Sequence, residues 1–378
     1  MKPIYLDYAA TTPVAPQVAE KMAACLTLEG NFANPASRSH RYGWMAEEAV
    51  ENARNQLAQA LHCDSREIVW TSGATEANNL AIKGVCEKLD GGHIITTAIE
   101  HKAVLDVCGY LETKGFTVTY LTPDSSGRIS VAQVEQALQD DTCLVSVMYV
   151  NNELGVINPV ADIAALCRSK KITFHVDGAQ AVGKVDVNLE RDGIDLLSIS
   201  AHKFYGPKGM GALFVRRGVK VDAQIHGGGH ERGMRSGTLP THQIVGLGLA
   251  AEISVQELKE QEARLSALKQ SLITGLSQVS GVTVNGENTV ANIANVSFSG
   301  VDGESLLLSL HDLAVSSGSA CNSATMAPSY VLKAIGLDDE TAHASIRFSM
   351  GRFTTADEIN QAVNSVVTVV QRLRAMTA

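Results

Sequence analysis

No stretch of this 378-residue chain approaches the roughly 18 consecutive apolar residues of a membrane span, so no membrane association is expected. Its first residues, Met1-Lys-Pro-Ile-Tyr-Leu-Asp7, lack the apolar core of a secretory signal. Seven cysteines (Cys25, Cys63, Cys86, Cys108, Cys143, Cys167 and Cys321) include no C-x-x-C pair, which excludes the common zinc frameworks and leaves no metal site to predict. Their odd number and scatter argue for reduced thiols, and the expectation is a cytoplasmic protein. Basic residues are outnumbered, 31 Lys and Arg against 40 Asp and Glu, and the net charge of −9 disfavours direct nucleic-acid binding. No repeat and no low-complexity tract interrupts the chain. What remains, 45% hydrophobic and 19% charged residues, is the make-up of a globular protein, and the length predicts one large domain with a smaller companion.

The first part of the chain alternates two periodicities. Short apolar, β-branched runs at 67–71, 93–99, 117–121, 143–151, 172–177, 194–200 and 211–216 read as seven strands. Helical patterns at 74–89, 102–114, 131–139 and 162–170 separate the early ones, a rhythm that predicts a mainly parallel, doubly wound α/β sheet. Ahead of it lie helices at 17–26 and from about 40 to 61, the second capped by Ser39, with Ala46, Val50, Ala53 and Leu57 on its core face. A helical stretch over 243–279, interrupted near Gly275, leads out of the sheet. Strands at 291–299 and 345–349 and helices at 304–311, 329–335 and 356–376 follow, the last opening on the capping-box pattern Thr355-Ala-Asp-Glu358. This predicts a large domain over 15–255 and a smaller α+β domain from 1–14 and 256–378.

Three strand ends carry chemistry. The run ending Ser200-Ala-His-Lys203 stops at a lysine before Gly206-Pro-Lys-Gly-Met-Gly211 turns the chain back. At the carboxyl edge of an open sheet, where ligands bind, a desolvated lysine becomes a nucleophile or Schiff-base former; the plainer alternative is a surface lysine on a turn. Phe174-His-Val-Asp177 ends on a carboxylate that either caps a turn or faces a cation. Thr71-Ser-Gly-Ala-Thr-Glu76 hands a strand to a helix through small residues, a start that binds phosphate or is simply capped. Together they form the set pyridoxal phosphate needs: an amine for its carbonyl, a carboxylate for its protonated pyridine nitrogen, and an anion-binding turn.

The chain resembles the cysteine desulfurases of the housekeeping bacterial (IscS/NifS-like) type, in the class-V aminotransferase group of fold-type I pyridoxal-phosphate enzymes. The similarity runs nearly the whole length, through Leu6-Asp-Tyr-Ala-Ala-Thr-Thr-Pro13, Asn34-Pro-Ala-Ser-Arg-Ser-His40, Glu100-His-Lys-Ala-Val104, Val150-Asn-Asn-Glu-Leu-Gly155, Gly227-Gly-Gly-His-Glu-Arg-Gly-Met-Arg-Ser-Gly-Thr238, Ser316-Ser-Gly-Ser-Ala-Cys321 and Ile346-Arg-Phe-Ser349. The resemblance implies that Lys203 is the Schiff-base lysine and moves the Cα proton. It pairs Asp177 with the pyridine nitrogen, sets Gln180 on the ring hydroxyl and stacks His101 on the ring. Ala74, Thr75, Ser200, Ala201 and His202 surround the cofactor, chiefly its phosphate, with Thr238 contributed by the other subunit of a homodimer. Asn152, beside both cofactor and substrate, joins Asn34 and Arg347 at the substrate. A guanidinium suits a carboxylate for its own reason, two parallel hydrogen bonds. On residues alone, Asn152 as a turn cap, His101 as a core histidine and Arg347 in an internal ion pair stay open.

Cys321 decides the chemistry. It lies in a run of small and polar residues that builds no packed element of its own and is expected to be a loop. Beside a pyridoxal-phosphate set, a loop thiol attacks the sulfur of bound L-cysteine, keeps it as a persulfide and passes it to a sulfur-acceptor protein. The resemblance thus implies a pyridoxal 5′-phosphate-dependent sulfurtransferase that makes L-alanine, serving iron–sulfur cluster assembly or tRNA and cofactor thiolation. Transient contact of Cys321 with an iron–sulfur cluster stays open. The pattern departs from many relatives at Gly178, Ala179, Ala201 and Asn322, and the sequence ends at Ala378 without the extension some relatives use to dock a scaffold. That bears on delivery more than on desulfuration. A selenocysteine lyase or another class-V enzyme is the alternative on the same fold; a sulfur-relay subunit without turnover is the alternative of another class.

Overall fold

The structure, a computed structural model, describes residues 2–317 and 327–377. In chain order its strands are β1 (Ile4–Tyr5), β2 (Ile68–Thr71), β3 (Gly92–Thr97), β4 (Phe116–Leu121), β5 (Thr142–Ser146) and β6 (Thr173–Asp177). Then come β7 (Leu196–Ser200), β8 (Gly211–Val215), β9 (Val282–Asn285), β10 (Ile293–Phe298), β11 (Leu313–Ala314) and β12 (Ser345–Ser349).

The seven strands read from the sequence form one sheet in the order β2-β8-β7-β6-β5-β3-β4. Only β8 runs against the others, pairing antiparallel with both β2 and β7. β2, β5, β6, β7 and β8 are buried along all or nearly all their length, which is why their apolar runs are continuous rather than alternating. Helices cover both faces. Ala74–Cys86 and Lys102–Glu112 pack on one face with Val69, Ile94, Leu144 and Leu213. Arg41–Leu61, Val160–Lys170 and Thr241–Gln256 pack on the other with Trp70, Ile95, Val145, Phe174 and Phe214. The α/β class and the mainly parallel sheet are as expected.

A second core joins Leu6, Leu272, Leu276, Val296, Phe298, Ile346 and Phe348 beneath Ala356–Thr377. Its sheet, β12-β10-β9, is antiparallel, and β1 pairs parallel with β11, which returns the first residues of the chain to this core. The Thr355 capping box forms, with Thr355 N donating to Glu358 Oε2 at 2.8 Å and Glu358 N to Thr355 Oγ1 at 3.2 Å.

Two expectations are corrected. The long helical stretch breaks at Glu257, between Thr241–Gln256 and Leu258–Leu276, and not near Gly275. Gly275 continues the helix, and its missing side chain admits a neighbour: a Cβ there would lie 2.6 Å from Val363 Cγ1. The helix Arg41–Leu61 is capped by His40, whose Nδ1 accepts from Gly43 N at 3.1 Å, one position beyond Ser39.

Candidate active site

Five strand-end turns of the large sheet, after β2, β3, β5, β6 and β7, line one cavity of about 490 Å³ together with Ala9, Ala10 and Arg347. This is the carboxyl edge, where open α/β sheets bind ligands.

Lys203 follows the buried β7 through a single turn of 3-10 helix, Ala201–Lys203. Ala201 O accepts from Phe204 N and Gly206 N at 3.1 and 3.0 Å, and Gly206 is needed for that reversal because a Cβ would lie 2.9 Å from Ala201 Cβ. Ala201 itself is fully buried under the turn, outside the cavity lining. The Lys203 amine donates to Ala9 O and Ala10 O, both at 2.8 Å. Asp177 ends β6 and is 5% exposed. One carboxylate oxygen accepts from Ala179 N at 2.9 Å, capping the turn, and the other from Asn78 Nδ2 at 2.8 Å. Behind it His175 is fully buried between Ser146 and Ser198, its pKa pushed down to about 4 by desolvation, so the ring is neutral.

At the end of β2, Gly73 (φ 152°) starts the helix Ala74–Cys86 with no side-chain cap, in a conformation only glycine adopts readily. The first N–H groups of this helix, at Ala74 and Thr75, lie beside Ser200 and His202 in the cavity wall, an arrangement that suits a phosphate. Gly211 allows it: a Cβ there would lie 2.6 Å from Gly73 Cα. His202 contacts Thr11 Oγ1 at 3.0 Å, and burial, then the charges of Lys203, Lys208 and Lys184, push its pKa down to about 4. Gln180 donates to Ala9 O at 2.8 Å and accepts from the Lys184 amine.

His101 caps the helix Lys102–Glu112: its Nδ1 accepts from Ala103 N at 3.1 Å, which leaves the ring proton of the neutral form on Nε2. Arg347, on β12 and 4% exposed, donates to Asn152 O and to Asp7 Oδ1, both at 2.8 Å, so an internal ion pair is present. Arg347 Nε and Asn152 Oδ1 are nevertheless buried without a partner among the described residues. The donor set fits pyridoxal phosphate: an uncapped helix start with hydroxyls for the dianion, a buried carboxylate for a protonated ring nitrogen, and an amine for the carbonyl.

The class-V aminotransferase model matches residues 4–362. The chain belongs to the class-V aminotransferase family. It is 59% identical over 381 residues to a cysteine desulfurase IscS of Tolumonas auensis, covering 99% of this chain and 94% of that one. A solved structure described as a NifS-like protein superposes with a TM-score of 0.91 at 37% identity, covering 98% of this chain and 100% of the other. SspA in complex with cysteine superposes at 0.83 with 42% identity, over 93% and 100%. The resemblance read from the motifs and the expected fold class both hold. The family is a pyridoxal-phosphate-dependent one.

Within this class-V cavity not every expected residue is present. Asn34 is exposed, its Oδ1 turned back to accept from Ala36 N at 2.9 Å, and Thr238 is exposed as well; neither lines the cavity of the single chain. Cys321 lies outside the described residues. Four residues escaped the sequence reading: Asn78 on Asp177, Asp7 on Arg347, and the carboxylates Glu100 and Glu153, 0% and 3% exposed. Burial pushes Glu100 up to about 8 and Glu153 up to about 7. Each directly adjoins a reading that was made, at His101 and Asn152, but burial leaves no periodic signal in a three-residue turn.

Proposed function

We propose that this chain is a cysteine desulfurase: L-cysteine and the Cys321 thiol give L-alanine and a Cys321 persulfide. The observation that carries the reading is the convergence of Lys203, Asp177 and His101, from three strand ends, on a cavity that Arg347 also lines. Pyridoxal 5′-phosphate, when bound, supplies the electron sink that makes the substrate Cα proton and Cβ–Sγ bond labile.

The chain's own residues do the rest. Ala74, Thr75, Ser200 and His202 would hold the phosphate, and Asp177, oriented by Asn78, would keep a ring nitrogen protonated. Lys203, whose amine would hold the cofactor carbonyl, would be the base that takes the Cα proton. His101 offers the Nε2 proton that its capping role fixes. Arg347 Nε and Asn152 Oδ1, both without a partner among the described residues, meet the substrate carboxylate and amine. Cys321 attacks Sγ, the S–S bond forms as C–S breaks with its electron pair left on carbon, and protons from the site complete alanine. One flank of that residue is held at the site: Arg347 N donates to Ser316 O at 2.7 Å.

We place Thr238 at the phosphate of a second copy, making the functional unit a homodimer. Supporting this, Leu26, Leu28, Phe32, Tyr42, Trp44 and Met45 form an exposed apolar stretch around Asn34, with Leu28 68% and Trp44 55% exposed. The second core supports the domain division at 15 and 255. The six described cysteines are unpaired, which fits a cytoplasmic protein delivering sulfur to iron–sulfur assembly or to thiolation of tRNA and cofactors.

The test is an absorbance spectrum before and after L-cysteine, with alanine and sulfide assayed under a thiol reductant, for wild type and Cys321→Ala. The expected result is a Schiff-base band and equimolar alanine and sulfide, lost in the variant. Alanine at the wild-type rate from Cys321→Ala would favour the lyase alternative. A colourless protein that pyridoxal phosphate does not restore would overturn the reading.

A further inference from the structure

Ser329 and Tyr330 are adjacent residues that reach two separate turns of the cavity. Ser329 Oγ donates to Glu153 Oε2 at 2.5 Å, and both residues are nearly inaccessible, 4% and 3% exposed. Tyr330 Oη donates to Glu100 O at 2.6 Å, and its ring lies 5.0 Å from the Lys102 ammonium. Glu153 directly follows Asn152, and Glu100 directly precedes His101. Two consecutive side chains therefore tie one point of the chain to the neighbours of a substrate-contacting and a proton-carrying residue.

The tie is embedded in its own small core. Val331, Leu332 and Ile335 of the segment that follows pack with Ile99 and Leu154, which flank the same two turns. The Ser329 hydroxyl also accepts from Leu332 N at 3.2 Å, so it starts the short helix Tyr330–Ala334 while bonded to Glu153. Glu153 is not a surface carboxylate recruited by chance. Burial raises its pKa, His101 and Arg347 oppose that rise, and Ser329 supplies the hydrogen bond a desolvated carboxylate needs.

The geometry points to Ser329 and Tyr330 as positioning residues for sulfur transfer, an inference that rests on the reading of Cys321 as sulfur acceptor. They fix the chain eight and nine residues after Cys321 to the turns bearing Asn152 and His101, as the backbone pairing of Ser316 with Arg347 fixes it five residues before. Neither touches the reacting atoms. They act on the transfer step and not on cofactor loading or on the Cα proton.

The test uses the pyridoxal-phosphate-loaded dimer in single turnover with L-cysteine, without reductant. One readout is the absorbance change on cysteine addition; the other is persulfide on Cys321 by quenched thiol labelling and peptide mass. Ser329→Ala is expected to slow persulfide formation by about tenfold to a hundredfold, the penalty of a small misplacement, and to leave the absorbance phase within twofold. Tyr330→Phe, which removes only the bond to Glu100 O and spares the helix cap, is expected to give a smaller loss of the same kind. Ser329→Thr, which keeps the hydroxyl, is expected to recover most of the rate. Persulfide at wild-type rates in both Ser329→Ala and Tyr330→Phe would overturn the inference, as would equal slowing of the absorbance phase. Absence of persulfide from Cys321 in the wild type would instead overturn the reading beneath it.

Discussion

The floor and the far wall of one cavity are finished differently. On the floor, built from strand ends of the large sheet, three groups are satisfied within the protein: Lys203 on two carbonyls, Asp177 on Asn78 and Ala179 N, Gln180 between Lys184 and Ala9 O. On the wall, where β12 meets the turn after β5, Arg347 Nε and Asn152 Oδ1 are buried with no partner among the described residues. A satisfied, buried network is rigid and keeps its protonation pattern, while a buried donor or acceptor left open is strained toward whatever fills it. Those three floor groups are thus organised before anything binds, while the wall keeps two groups open for the substrate proposed to complete it.

The largest expected effect breaks the floor. Lys203→Ala removes the amine proposed to move the proton, and turnover is expected to fall by about 10⁴-fold or more, with loss of the Schiff-base band; a variant with a wild-type spectrum would break the comparison. The wall responds in another parameter. Arg347→Lys cannot reproduce two parallel hydrogen bonds, and KM for L-cysteine is expected to rise by about 10- to 100-fold, with the spectrum of the substrate-free enzyme unchanged. Steady-state kinetics and a spectrum on the same sample separate the two.

The smallest effect concerns a floor carboxyl outside the network of Lys203. Glu100 accepts from Met148 N and Thr97 Oγ1 through one oxygen, while the other is buried with no partner among the described residues. Burial raises its pKa from 4.5 to about 8, so the folded state holds the proton longer than the unfolded chain. The stability this group contributes is fully present below pH 4.5 and is lost as pH rises to about 8. Glu100→Gln keeps the accepting oxygen and cannot ionise. Its melting temperature is expected to gain on the wild type by a few degrees across that interval and to level off above it. Parallel melting curves of the two proteins would contradict this.

The floor was largely legible in the sequence, because a buried strand ending on Lys203 or Asp177, followed by glycine-rich turns, announces a sheet edge. The turn expected to hold the phosphate was legible through Gly73 and its small neighbours between a strand and a helix, while the close approach of Gly211 to Gly73 came only with the fold. Asn78 was not, since one asparagine on a buried helix face looks like any other until the sheet brings Asp177 beneath it. Nor was the wall complete: β12 is a regular strand, but the Asp7 that pairs with Arg347 lies 340 residues away in sequence. The pairing of β1 with β11 is hidden similarly, two residues being too few to carry a period. His40, rather than Ser39, caps its helix because an imidazole nitrogen accepts an N–H as a hydroxyl does.

The central claim is that this cavity moves sulfur from L-cysteine to Cys321, and a stoichiometry tests it most directly. Wild-type enzyme loaded with pyridoxal phosphate and mixed with excess L-cysteine, without reductant, is sampled for alanine and for persulfide on the Cys321 peptide. The account predicts one alanine for each persulfide formed, with the first turnover ending when Cys321 is filled. Alanine accumulating while Cys321 stays a free thiol would contradict it.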